Sequence, residues 1–257
     1  MSRVNFARDG QVAMVTLDRP DKLNAMDSEM YQQISARLRE IDEDDSIRVG
    51  IVTGAGDRAF TAGADLVGMH GAAEQPRTGW SPVRPDRFDL GLEIGKPLIA
   101  AVNGYCLAGG LELALVCDIR IASERAQFGT PEVKWNLLHG YGAQRLPEIV
   151  GFSNAMYLLL TGRFIDAHEA HRIGLVQEVV AHDRVLARAR ELAEQICANA
   201  PMAVKMTKEL ALRSRDLTLA DGVRLYQALN RIVESSEDTE EGTRAFAEKR
   251  QPNFKGR

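Results

Sequence analysis

Cysteine is scarce in this 257-residue chain: Cys106, Cys117 and Cys197 alone, in apolar settings and without CxxC or Cys/His ligand spacing. No disulfide framework and no zinc site follow, and buried free thiols in a reducing compartment are expected. Basic runs are missing too, and a formal net charge of −4 with a pI near 5.8 gives no footprint for nucleic acid. A small anionic ligand stays open, because a few local Lys and Arg suffice for it. No apolar run reaches the ~20 residues of a membrane span. Arg3, Asn5 and Arg8 occupy the segment where a secretory leader needs apolar residues, so a cytoplasmic protein with no membrane partner is expected. Also absent are a GxGxxG opening a βαβ unit, a GxSxG elbow, an HExxH pair and any internal sequence repeat. Gly54-Ala55-Gly56-Asp57 is too short, and lacks the Lys-Ser/Thr, of a phosphate-binding P-loop.

What is present is organised around one stretch, Asn103-Gly104-Tyr105-Cys106-Leu107-Ala108-Gly109-Gly110-Leu111-Glu112-Leu113-Ala114-Leu115. It follows the apolar run Leu98 to Val102, a buried strand by pattern, and its second half is apolar enough for a buried helix. The glycines therefore occupy a strand-to-helix turn. Amides at a helix start have no internal partner, and small residues let a ligand approach them. Glu112 interrupts that apolar helix, where an unpaired carboxylate is expensive to bury.

The rest of the chain alternates strands and helices. Val12 to Leu17 is an opening strand, and Asp27 caps a helix with Met30, Ile34, Leu38 and Ile41 on one face. Val49 to Thr53 is a second buried strand. Phe60-Thr61-Ala62-Gly63-Ala64-Asp65-Leu66 repeats the small-residue strand-to-helix turn, with Asp65 placed to favour a helix start. His70 to Asp86, with Trp80, is a long polar loop, read either as a lid or as disorder. A short helix over Asp86 to Gly95, a strand over Cys117 to Ala122, helices over 144–150, 154–160 and 167–173, and a strand at Leu175 to Val180 follow. This alternation argues α/β. After residue 182 only helices remain, so residues 1–195 are expected to form the core and 196–257 a helical region for subunit packing.

Side by side, the two turns would form a two-donor oxyanion hole, with the amides of Ala64 and Gly109 as donors. Such a hole suits the enolate of a thioester, each donor being worth about 3 kcal/mol of barrier. Glu112 and Glu132 stand twenty positions apart, both among apolar or small neighbours. Two carboxylates in one dry pocket do not both ionise cheaply, so one holds a proton while the other is a base, as water addition to a double bond requires. Plainer readings stand beside these. Glu112 and Glu132 are each explicable as first-turn helix acids, and Gly109-Gly110 as a packing device. His139 is either an extra acid/base or a packed or surface histidine; Trp80 and Trp135 either line an acyl pocket or fill core; Asp118 fits a structural hydrogen bond.

Several motifs in order resemble the enoyl-CoA hydratase/isomerase (crotonase) family. They are Leu17-Asp18-Arg19-Pro20 with Leu23-Asn24-Ala25-Met26, Thr61-Ala62-Gly63-Ala64, Ala100-Ala101-Val102-Asn103-Gly104-Tyr105, Gly109-Gly110-Leu111-Glu112-Leu113-Ala114, Gln127-Phe128-Gly129-Thr130-Pro131-Glu132 and Phe246-Ala247-Glu248-Lys249-Arg250. The resemblance implies a spiral of ββα repeats, a C-terminal helical region that builds trimers and often pairs of trimers, and a coenzyme A thioester handled without metal or redox cofactor. It maps Ala64 and Gly109 onto the oxyanion donors, Glu112 and Glu132 onto the hydratase carboxylates, and Gly140 onto a glycine whose amide helps hold the attacking water. Lys22, Leu23, Ala62, Asp65 and Leu66 map near the coenzyme, while Phe246 and Lys249 map where a neighbouring subunit's ligand would lie. The expected reaction is reversible syn hydration of a trans-2-enoyl-CoA. Double-bond isomerisation, thioester hydrolysis and a non-catalytic trimeric scaffold are the alternatives. Two departures bear on the substrate: Lys134 to Gly142 carries Trp135, Leu138, His139 and Tyr141 where relatives have small residues, and Val67 stands where many place a lysine.

Overall fold

A computed structural model describes residues 3–69 and 86–257, so the loop read as either a lid or disorder, including Trp80, falls outside the described residues except for Asp86. The chain opens on a hairpin, β1 (Val4–Asp9) and β2 (Val12–Leu17), turned at Gly10, whose φ is +57°. Only β2 is legible in the sequence; β1 is an edge strand whose charged outer half hides its alternation. Helix α1 (Ser28–Glu43) follows, capped by Asp27, whose Oδ1 accepts the Met30 amide at 3.0 Å.

Three times the chain then runs a long strand, a short strand and a helical turn. The first unit is β3 (Val49–Gly54), β4 (Ala59–Thr61) and α2 (Leu66–Met69). The second is β5 (Leu98–Val102), β6 (Tyr105–Leu107) and α3 (Gly109–Val116). The third is β7 (Ile119–Ser123), β8 (Gln127–Gly129), a 3-10 turn at Pro131–Trp135 and α4 (Gly140–Val150). Next come α5 (Phe152–Thr161), β9 (Phe164–Asp166), α6 (Ala167–Arg172), β10 (Glu178–Val180) and α7 (Val185–Cys197). The chain finishes with α8 (Pro201–Arg213), α9 (Leu219–Glu234) and α10 (Glu237–Glu248). Five long strands and the three-residue β10 build a six-stranded sheet, β1-β2-β3-β5-β7-β10, parallel after the first hairpin; three-residue strands build a second, β4-β6-β8-β9. This is the expected α/β spiral of ββα repeats. One expected helix is absent: Asp86 to Gly95 yields only a 3-10 turn at Phe88–Leu90.

The central strands of the large sheet, β3, β5 and β7, are buried on both faces, which is why they read as continuous apolar runs. Leu98, Ala100 and Val102 face the core that α1 fills with Met30, Ile34, Leu38 and Ile41. Ile99 and Ala101 face the other way, toward Val185, Ala189 and Ala193 of α7. Helix α3 lies wholly inside, from Gly109 to Leu115, so its last carbonyls need an internal donor. Arg120 supplies it: Nη1 donates to Ala114 O at 3.2 Å and Cys117 O at 2.6 Å, and Nε to Leu175 O at 2.6 Å. A cation at the carboxyl end of α3 also complements the helix dipole. Asp118, as expected, makes a structural bond, accepting from Leu98 N at 2.8 Å, and pairs with Lys208. Cys106 and Cys117 are buried free thiols, but Cys197 is only half-buried. No described helix is long and apolar enough to cross a membrane.

Candidate active site

The two small-residue turns meet. Gly63, at φ +93°, approaches α3 so closely that a Cβ on it would stand 2.6 Å from Ala108 Cβ, 2.8 Å from Leu107 O and 3.1 Å from Gly109 N. A Cβ on Gly110 would stand 2.5 Å from Thr61 O. Only glycine permits this approach. Ala108, at φ +53°, turns the chain into α3 from a region that non-glycine residues rarely adopt, a strain typical of functional turns. On the facing turn, Met26 N donates to Gly63 O and Asp65 N to Met26 O, each at 2.8 Å, on either side of Ala64. Among the described residues no acceptor takes the amide of Ala64 or of Gly109.

Both glutamates are buried next to this junction, Glu112 at 7% and Glu132 at 8% exposure. Glu112 rises from the first turn of α3, and its Oε1 accepts the Gly142 amide at 3.2 Å. Burial raises its carboxyl above the ordinary range; His139 and the Gly142 amide oppose this, while Asp89 and Glu132 add to it. Glu132 sits in the 3-10 turn, its Oε1 2.5 Å from His139 Nδ1 and its Oε2 buried without a partner. His139 packs directly against Gly142, so Glu132, His139, Gly142 and Glu112 form one continuous chain of contacts. The amide that reaches Glu112 is that of Gly142; Gly140 lies alongside, where a Cβ would stand 3.2 Å from Glu112 Oε1.

The residues expected near the coenzyme also gather. Ala62 N donates to Leu23 O at 3.0 Å, and Lys22 Nζ lies 3.7 Å from Asp65 Oδ2. Asp65 is occupied internally: Oδ1 accepts the Gly68 amide at 3.0 Å, starting α2, and Oδ2 meets Arg19 Nη1 at 2.8 Å. The Gly68 bond holds its carboxyl below the usual range against burial, helped by Arg19 and Lys22. Leu66 and Val67 are exposed beside it. Phe246, at 88% exposure, and Lys249 lie on and just after α10, outside this cluster. The loop departures differ in burial, with Tyr141 half-buried. Trp135 is 66% exposed and Leu138 is exposed, while His139 alone of the three turns inward.

Tyr31 and the residues packed around it give no functional signal in the sequence. Tyr31 of α1 stacks on Phe88 with ring centroids 5.1 Å apart, and its hydroxyl lies against Gly109. Burial, with Glu112 and Asp89 adding, pushes that phenol upward while Arg87 opposes. Arg87 lies 4.9 Å from the Tyr31 ring centre and forks onto Asp89 at 2.7 and 3.0 Å. A cavity of ≈ 710 Å³ runs along Leu115, Val116 and Cys117 toward α8; it includes Tyr141 but neither glutamate.

Residues 7–257 match the family pattern described as enoyl-CoA hydratase/isomerase. The chain belongs to that family. A probable enoyl-CoA hydratase of Rhizobium meliloti (strain 1021) is 42% identical, covering 96% of each chain. The (E)-benzylidenesuccinyl-CoA hydratase of Thauera aromatica is 40% identical over 98% of this chain and 99% of its own. Among solved structures, the enoyl-CoA hydratase from Bacillus anthracis superposes with a TM-score of 0.92 at 36% identity, covering 100% of both chains. As a member of this hydratase/isomerase family the protein is an enzyme of acyl-CoA thioesters.

Proposed function

We infer that the protein is an enoyl-CoA hydratase, adding water reversibly and syn across a trans-2-enoyl-CoA. The observation that carries this is the pair of buried glutamates, joined through His139 and Gly142, beside two unclaimed amides. In this reading the thioester oxygen accepts from the amides of Ala64 and Gly109, which stabilise the enolate as charge develops there. Glu112 and Glu132 hold the water between them, with the Gly140 turn helping to position it. One carboxylate takes a proton as the water oxygen bonds to Cβ, and a carboxylic acid returns one to Cα, so the double bond gains H and OH from one side. Lys22, Leu23, Ala62, Asp65 and Leu66 frame the coenzyme, and Trp135 borders the acyl entrance. Coenzyme A enters as part of the substrate, and no step calls for a metal or redox group.

We further propose a trimer, or a pair of trimers, built by residues 196–257. Helices α8 and α9 have no buried residue, and α9 exposes Leu219, Val223, Tyr226 and Ile232, an apolar row that a second copy would cover. Phe246 and Lys249 would then reach a neighbour's coenzyme. A cytoplasmic role in fatty acid metabolism fits this reading. The test is loss of conjugated-thioester absorbance on mixing with crotonyl-CoA; coenzyme binding without turnover of any enoyl-CoA would replace the enzyme with a scaffold.

A further inference from the structure

His139 is buried, at 4% exposure, and its Nδ1 stands 2.5 Å from Glu132 Oε1. Its other nitrogen, Nε2, is buried against Gly142 with no partner. A buried N–H without an acceptor is rarer and costlier than a bare lone pair. With Nε2 lacking an acceptor and Nδ1 facing Glu132 Oε1, a ring proton sits on Nδ1 and is donated to that oxygen. Asn136, at φ +55°, folds the loop back after the 3-10 turn, which is how a histidine seven positions on returns to Glu132. Glu132 is left with one engaged oxygen and one, Oε2, that is buried and unpartnered. Oε2 is the oxygen still able to accept from water.

We propose that His139 is a positioning residue for the hydration: its Nδ1–H fixes the plane of the Glu132 carboxylate so that proton transfer runs through Oε2 alone. This rests on the hydratase reading above. Oε2 takes or returns one proton per cycle, while the Nδ1 proton stays in place as a fixed strut. The role belongs to this chain's loop, in which a histidine has turned inward where Trp135 and Leu138 turn out.

Asn and Leu are close in size, but only Asn keeps an N–H where Nδ1 stood, so His139→Asn and His139→Leu isolate the bond. Crotonyl-CoA hydration gives kcat and KM, calorimetry with the saturated butyryl-CoA gives binding, and thermal unfolding reports the fold. His139→Leu should lower kcat by roughly ten- to a hundredfold, the effect of a misplaced group, with KM and butyryl-CoA affinity within about twofold. His139→Asn should retain most of the wild-type kcat. In a Glu132→Gln background, adding His139→Leu should cost nothing more, because the histidine acts through that carboxylate. Should the leucine variant fail to fold, His139→Gln, whose amide stands at the Nε2 position, replaces it in the contrast with Asn. Wild-type kcat in His139→Leu, equal losses in the Asn and Leu variants, or losses that multiply in the double variant would overturn the role. Absence of hydration by the wild-type enzyme would instead remove the proposed function itself.

Discussion

Gly109→Ala tests the junction where the two turns meet. Gly109 does not have a positive φ, so alanine is not strained by its own backbone there. Its Cβ, however, would overlap the Tyr31 hydroxyl, whereas Met26 Cε and Tyr31 Cζ stand at 3.4 Å, an ordinary contact. Tyr31 has little room to yield, because its ring is stacked on Phe88 at an interplanar angle of 6° with Arg87 against it. The start of α3 must shift instead, at an overpacking cost of about 1–3 kcal/mol. Displacing the Gly109 amide should also forfeit much of a donor worth about 3 kcal/mol of barrier, or roughly a hundredfold in kcat. Tyr31→Phe removes only the overlapping oxygen. The double variant Gly109→Ala/Tyr31→Phe should therefore regain most of the stability lost by Gly109→Ala, a coupling of about 1 kcal/mol or more. Denaturant unfolding and crotonyl-CoA kinetics on the three variants measure both quantities. A Gly109→Ala protein as stable and active as wild type, or a double variant no better than the single, would refute the reasoning.

Other substitutions probe the same frame. Glu112→Gln should lower kcat by about a hundredfold or more, in the range for lost acid/base catalysis. It should also stabilise the fold at alkaline pH: burial raises the folded carboxyl, so its ionisation lowers stability as pH rises through that raised value, and the gain should vanish near pH 4. Melting curves of both proteins across pH check the sign. Gly63→Ala places a Cβ 2.6 Å from Ala108 Cβ at φ +93°, and should cost about 1–3 kcal/mol with a matching fall in kcat. Arg120→Met strands the carbonyls of Leu175 and Cys117 inside the core, and urea titration should show a loss of about 1–3 kcal/mol or more.

The long strands and buried α3 were legible because unbroken apolar runs such as Leu98 to Val102 have one economical placement, inside a covered parallel sheet. The second sheet was not. Its strands β4, β6, β8 and β9 have three residues each, too few for a period, and they adjoin glycines and prolines that read as turns. Gly109, Gly63 and Glu112 announced themselves as exceptions within apolar or small-residue runs. Tyr31 gave no such sign: beside Met30 it reads as another core residue of α1, and only the packing of α1 on α3 brings its hydroxyl to Gly109. Nor did the sequence decide His139, since the irregular backbone around Asn136, rather than spacing, sets its contact with Glu132.

The central claim is that Glu112 and Glu132 act from one side on an acyl group whose oxygen is gripped by Ala64 and Gly109. Hydration of crotonyl-CoA in deuterium oxide tests it most directly, with the product's relative configuration at Cα and Cβ read by proton NMR. Deuterium and hydroxyl should arrive on the same face. A product with the two on opposite faces, or with deuterium scrambled at Cα from the first turnover, would contradict it.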